Sequence, residues 1–211
     1  MNVHFPELDE IERDALTEIV NIGVGRAAHR LADMVGDSVQ LSVPRVELLT
    51  RDVAAALLDQ HGGTGLVSVG QDFEGAFSGQ ALLLFPETNS LELVRAVVGD
   101  GMALDEIIDL EQGALAEIGN IILNGCLVCI ANMLRLDLVM SLPRVMRGSG
   151  RHILAVGDGE AEPALFLTIE FGIASRNING YITLLMDLPS LAVLRQLINA
   201  FIGAIAGGAA R

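Results

Sequence analysis

Apolar and polar positions along this chain follow two periods. From 8 to 35, apolar side chains return at three- and four-residue steps, as at Ile11, Ala15, Ile19 and Ile22, the spacing of one face of an α-helix. Asp9 followed by Glu12 suits a capping box at its start, and Gly36-Asp37 ends it. Val39, Leu41 and Val43 then alternate with polar neighbours, predicting a half-buried strand that runs into Pro44. A short capped helix from Thr50, a turn at 61–65, strands at 66–69 and 75–85 and a helix at 90–98 complete the first stretch. The remainder replays this order with variations. It predicts a helix at 104–134, a proline-bearing strand at 138–146, strands at 152–156, 164–171 and 180–186, and a closing helix at 190–205.

The replay extends to individual residues. Glu18-Ile19-Val20-Asn21 precedes Pro44-Arg45-Val46, and Glu117-Ile118-Gly119-Asn120 precedes Pro143-Arg144-Val145, every landmark displaced by the same 99 positions. Ser90-Leu91 with Arg95 matches Ser190-Leu191 with Arg195 at a displacement of 100. A period this long marks duplicated subdomains, not a solenoid. The junction Gly99-Asp100-Gly101-Met102 is too short for a flexible linker. The expected fold is therefore α+β: one domain over 1–211, made of two homologous halves at 1–100 and 101–211. It has pseudo-two-fold symmetry, a mostly antiparallel sheet, and long helices bearing the Glu-x-x-Asn motifs.

Composition narrows the function. With 51 % hydrophobic residues the chain can bury a substantial core. A formal charge of −14 disfavours nucleic acid, whose binding relies on clustered cations. All 13 basic residues among Lys and Arg are Arg, which removes a Walker lysine, a Schiff-base lysine and a Ser-Lys nucleophile together. The acidic N-terminal stretch lacks the apolar core of a signal peptide. The apolar runs 121–134 and 197–210 are shorter than the roughly 20 residues that span a bilayer. A soluble cytoplasmic protein without membrane insertion is expected. The last run is left open as core, partner surface or weak membrane contact. Cys126 and Cys129 have the spacing of half a zinc or redox site, but no second pair exists and their segment reads as a buried helix. His4, His29, His61 and His152 show no ligand spacing.

The candidate chemistry lies in the duplicated motif. At about 100° per residue, Asp14, Glu18 and Asn21 fall within an arc of roughly 60°. The same stripe continues through Gly25, Ala28 and Ala32, small residues that let another backbone approach. The second stripe is Gly113, Glu117, Asn120, Asn124 and Ala131. A solvated helix face explains one Glu-x-x-Asn, but not two in register with a downstream proline. An Asn amide can hold a water in line with a phosphoryl group without acting as a base, because phosphoryl transfer asks mainly for positioning and electrostatics. A neighbouring Glu suits a partner lysine.

Asp14-x3-Glu18-x2-Asn21-x22-Pro44 resembles the signature of the CheC/CheX/FliY phosphatases of chemotaxis. The whole chain is most similar to stand-alone CheC, since no residues remain for an added flagellar-switch domain. The resemblance implies that Asn21 and Asn120 enter the active site of a phosphorylated CheY-type response regulator and orient the attacking water. It implies that Glu18 and Glu117 contact the regulator's lysine, with Asp14, Pro44 and Pro143 supporting. Mg²⁺ would belong to the regulator, so this chain needs no cofactor and no metal of its own. CheD, a receptor deamidase, is a further implied partner. A non-catalytic adaptor holding phosphorylated CheY or CheD is the alternative reading. A component like the middle domain of the flagellar switch is a third, disfavoured by the Glu-x-x-Asn pairs. Gly113 departs from the family's Asp or Ser, which puts the second site's first position in question.

Overall fold

The computed structural model describes residues 8–62, 65–156 and 163–208. Of the predicted turn at 61–65, residues 63 and 64 lie outside these, as does His4. Helix α1 (Glu10–Val35) begins on the predicted capping box. Asp9 Oδ1 accepts from the Glu12 amide at 2.8 Å, and Glu12 Oε2 accepts from the Asp9 amide at 2.9 Å. Gly36 closes the helix at φ 67°, a left-handed conformation that glycine adopts without a Cβ penalty. Helix α4 (Leu104–Leu134) closes in the same conformation on Arg135, at φ 56°. The helices α3 (Ser90–Val98) and α4 have the predicted bounds.

Eight strands form one antiparallel sheet: β1 (Gln40–Leu41), β2 (Arg45–Thr50), β3 (Leu66–Gly75), β4 (Gly79–Pro86), β5 (Leu138–Met140), β6 (Arg144–Gly148), β7 (Pro163–Ile173) and β8 (Ile178–Met186). Hairpins β3–β4 and β7–β8 meet along β4 and β8 at the centre. Beyond them β5 and β6 share the edge of β3, while β1 and β2 share the edge of β7. Each hairpin is thus completed by edge strands from the other half of the chain. Unpaired edge amides need partners, and neither half supplies its own.

Alternation along the strands buries both faces. Val67, Val69, Phe73, Leu165, Leu167 and Ile169 point into a core shared with α1, α3, α4 and α6 (Leu188–Gly208). Leu66, Leu82, Leu84 and Phe166 point into a smaller one under α2 (Arg51–Gly62) and the short helix α5 (Gly150–Ile153). By length and composition α4 could cross a membrane, but 56 % of its most apolar window is buried in this core. It is longer than the apolar run at 121–134 suggests, and it packs against α1 and the sheet. Leu191, Leu194 and Ile198 place the first half of α6 in the core too.

Several expectations are corrected. Of the strand expected at 152–156, residues 152 and 153 end the helix α5, capped by Ser149 accepting from the His152 amide, and 154 and 155 form a turn. Ile11 and Ile22 are exposed, and the buried stripe of α1 is instead Leu16, Ile19, Val20, Val24, Ala27 and Leu31. Ala28 and Ala131 are buried, not part of an open face. The strand predicted at 75–85 is broken at 76–78, with β3 running on to Gly75. The proline-bearing strands are each split in two, because proline has no N–H to give the ladder.

Glu12 does a second task. Its side chain, 2 % exposed, accepts from Arg195 Nε at 2.6 and 2.7 Å and from Asn199 Nδ2 at 2.7 Å, tying the start of α1 to α6. Burial pushes the carboxyl upward and is the largest single influence. The hydrogen bonds from Arg195, the Asp9 amide and Asn199, with the Arg195 charge, outweigh it and hold the pKa below the ordinary value of 4.5. A depressed folded-state pKa contributes stability that is present above the unfolded value and lost as pH falls through the folded one. Glu12→Gln is expected to lower unfolding free energy at neutral pH by about 1–3 kcal/mol. In urea titrations at stepped pH, the gap from the unmodified chain should close below pH 4.5.

Candidate functional site

The two prolines mark a shift in strand register. β1 pairs Leu41 with Phe171, but β2 resumes with Arg45 opposite Thr168, one extra residue having entered on the proline side. The same slip separates Met140 opposite Phe73 from Arg144 opposite Gly70. Such a bulge bends the strand and re-aims its side chains. Pro44 is buried and Pro143 half-buried, while the apolar residues before them stand out, Val43 at 69 % and Leu142 at 85 % exposure.

Matching bonds pin both bulges. The Ser42 amide donates to the Glu170 carbonyl, and the Glu170 amide donates to Ser42 Oγ. The Ser141 amide donates to the Asp72 carbonyl, and the Asp72 amide donates to Ser141 Oγ. Arg45 pairs with Glu170 and Arg144 with Asp72 beside them. These surface pairs contribute little stability, but they fix where the flanking charges stand.

Over the first bulge runs α1, with Arg13 Nη1 donating to the Val46 carbonyl at 2.9 Å. Asp14, Glu18 and Asn21 are all exposed on it, and Asn21 makes no side-chain hydrogen bond within the described residues. On α4, Gly113 and Glu117 are exposed, and Asn120 is half-buried. Asn120 Oδ1 accepts from Asn124 Nδ2 at 2.7 Å and Gln71 Nε2 at 3.3 Å, and that Gln71 nitrogen also donates to the Ser141 carbonyl at 2.9 Å. Gln71 is a residue that sequence reading missed. Its signal was there: in the inward series Val67, Val69, Gln71, Phe73 it is the one polar member. The two motif helices pack against each other, so each site is held on rigid elements and not on a loop.

A Cβ at Gly113 would meet nothing within 4 Å. The glycine is therefore not required by packing, and an aspartate there would fit. Gly113→Ala is expected to raise stability by about 0.5–1 kcal/mol by reducing the freedom of the unfolded chain, read as a higher thermal midpoint.

Cys126 and Cys129 are free and buried, and Gly23 of α1 lies against the Cys126 carbonyl. Burial first, and then the neighbouring Cys129, push the Cys126 thiol up to about 12, so it is neither a nucleophile nor a ready ligand. No three His, Cys, Asp or Glu residues among those described group as a metal site. A disulfide-exchange reagent such as Ellman's is expected to label these thiols at the unfolding rate. Labelling within mixing time would contradict their burial.

A cleft of about 500 Å³ beside α5 is lined by Arg51, Asp72, Gln80, Arg144, His152 and Asp187, so it reaches the Arg144–Asp72 pair of the second bulge. Its lining mixes both signs of charge, whereas Glu18, Asn21 and Glu117 stand exposed on helix faces.

Comparison with known proteins bears on this surface. The CheC-like family profile matches residues 11–48, which span Glu18, Asn21 and Pro44. The chain is 27 % identical over 146 residues to the CheY-P phosphatase CheC of Bacillus subtilis, covering 67 % of this chain and 68 % of that one. It is 24 % identical over 190 residues to CheC1 of Halobacterium salinarum, covering 88 % and 93 %. Its fold is like that of the crystal structure of FliY from Thermotoga maritima, with a TM-score of 0.69 at 17 % identity over 93 % of this chain and 98 % of that one.

Proposed function

We propose that this chain, similar to the CheC/CheX/FliY chemotaxis phosphatases, accelerates loss of phosphate from the phospho-aspartate of a CheY-type response regulator. The relative in Bacillus subtilis is named for that activity. The observation that carries the reading is that Glu18, Asn21 and Glu117 are exposed on their helices, with Asn120 half-buried and tied through Gln71 to the second proline bulge.

The site residues divide the work by chemistry. A carboxamide is neutral and has both donors and an acceptor, so Asn21 or Asn120 holds a water in line with the phosphoryl group and leaves its lone pair free to attack. Glu18 and Glu117 meet a lysine of the regulator, which sets how far each asparagine enters. Val43 and Leu142 add an apolar contact at the rim. Asp14 supports the first helix face, and Pro44 and Pro143 shape the sites from beneath. Mg²⁺ and the acyl phosphate belong to the regulator, and this chain supplies positioning alone. Bound from outside, the asparagine acts only on a partner already phosphorylated, and free phosphate is repelled by the acidic surface.

Two sites of one design follow from internal duplication, with halves at 1–100 and 101–211. The recurring bulges, serine clamps and Arg–carboxylate pairs support it. A cytoplasmic location fits the proposed partner, without membrane insertion or nucleic acid. CheD as a second partner rests on the family resemblance alone.

Asn21→Ala with Asn120→Ala is expected to return phosphate decay on the regulator to its unassisted rate. Each single change should leave part of the acceleration. The check is the lifetime of labelled phosphate on purified regulator, with circular dichroism confirming the fold. A double variant as active as the unmodified chain would sink the proposal. Retained binding of phosphorylated regulator by an unmodified chain that never shortens that lifetime would favour an adaptor.

A further inference from the structure

Beneath their asparagines the two sites are built differently. We infer that Gln71 is a positioning residue that locks the Asn120 amide with its nitrogen outward, whereas the Asn21 amide is free to turn. The inference rests on the function proposed above and deepens it.

A backbone carbonyl decides the geometry. The Ser141 carbonyl can only accept, so the Gln71 atom 2.9 Å from it is the amide nitrogen. That same nitrogen lies 3.3 Å from the Asn120 side chain, which must therefore present its oxygen. Asn124, at 2.7 Å from that oxygen, must donate to it through Nδ2. Turning over any one amide sets donor against donor or acceptor against acceptor. With its oxygen held by two donors, Asn120 has only Nδ2 to offer a partner. It engages the attacking water or a phosphoryl oxygen by donation.

The first site lacks both supporting amides of this device. Ile169 occupies the position of Gln71 opposite the bulge, and Gly25 that of Asn124. Ile169 is fully buried in the core, so the fold accepts an apolar residue there. Gln71 is itself 1 % exposed, and its Oε1 has no hydrogen-bond partner within the described residues, as is also true of Asn124 Oδ1. Burying an amide with an unmet acceptor is unfavourable for folding. Its hold on Asn120 accounts for its presence where Ile would pack better.

The test uses single-site backgrounds and a CheY-type regulator phosphorylated with phosphoramidate. In an Asn21→Ala background, Gln71→Ile is expected to lower kcat by about tenfold, with KM for the phosphorylated regulator unchanged. In an Asn120→Ala background the same change should leave the remaining rate as it was. Gln71→Glu adds a pH profile. An ionised carboxylate cannot donate, so it reverses the Asn120 amide, and second-site activity should return only as pH falls and the carboxyl regains its proton. Undiminished kcat for Gln71→Ile in the Asn21→Ala background overturns the inference and leaves the proposed function standing. An equal fall in both backgrounds also overturns it, because the glutamine would then serve the fold. Failure of the function itself has a separate signature, undiminished acceleration by the Asn21→Ala, Asn120→Ala protein.

Discussion

An imino nitrogen with no hydrogen organises this molecule. Pro44 and Pro143 each stand in an edge strand that must pair with a hairpin from the opposite half, and each leaves one ladder position without a donor. The strand answers by admitting an extra residue, and everything distinctive about the sites follows from that slip. The residue before the proline swings outward, the serine two positions back turns its hydroxyl onto the facing amide, and the arginine after it reaches a carboxylate on the neighbouring hairpin strand. A regular edge would present a flat row of amides, inviting indiscriminate pairing.

The long helices then supply what the bulges lack. They bury one face deeply enough that the opposite face can carry Glu and Asn at no cost to the core. The pairing of buried Glu12 with Arg195 and Asn199 anchors the first helix to the last, so the motif-bearing face of α1 is oriented by contacts from both ends of the chain. Rigidity matters because a water-positioning amide works only when its own placement is settled before the partner arrives. The second site takes this further than the first, through a buried glutamine whose orientation is dictated by a carbonyl of the bulge.

Much of the candidate site was legible before any coordinates. Helix faces are a local property: Asp14, Glu18 and Asn21 share an arc because of the helical period, and all three are exposed. The capping box at Asp9 and Glu12 was equally local. The errors arose where a pattern is shared by two structures. Ile11 and Ile22 sit at helical spacing yet face solvent, because the wider row of Leu16, Val20, Val24 and Ala27 outcompetes them for the core. The short run at 152–156 reads as a strand by composition, but Ser149 caps a helical turn that covers the sheet's second face.

From sequence alone come the long helices and the hairpin strands, the recurrence of Glu, Asn and Pro at one displacement, the absence of lysine chemistry and the amphipathic placement of the motifs. These depend on spacing along the chain, which the sequence records directly. Only the tertiary structure decided that each half completes the other's sheet, that the prolines sit in register slips, and that Gln71 lies under Asn120 across 49 positions of chain. Pairing between distant strands depends on which buried surfaces fit together, and hydrophobic alternation is the same for every candidate partner.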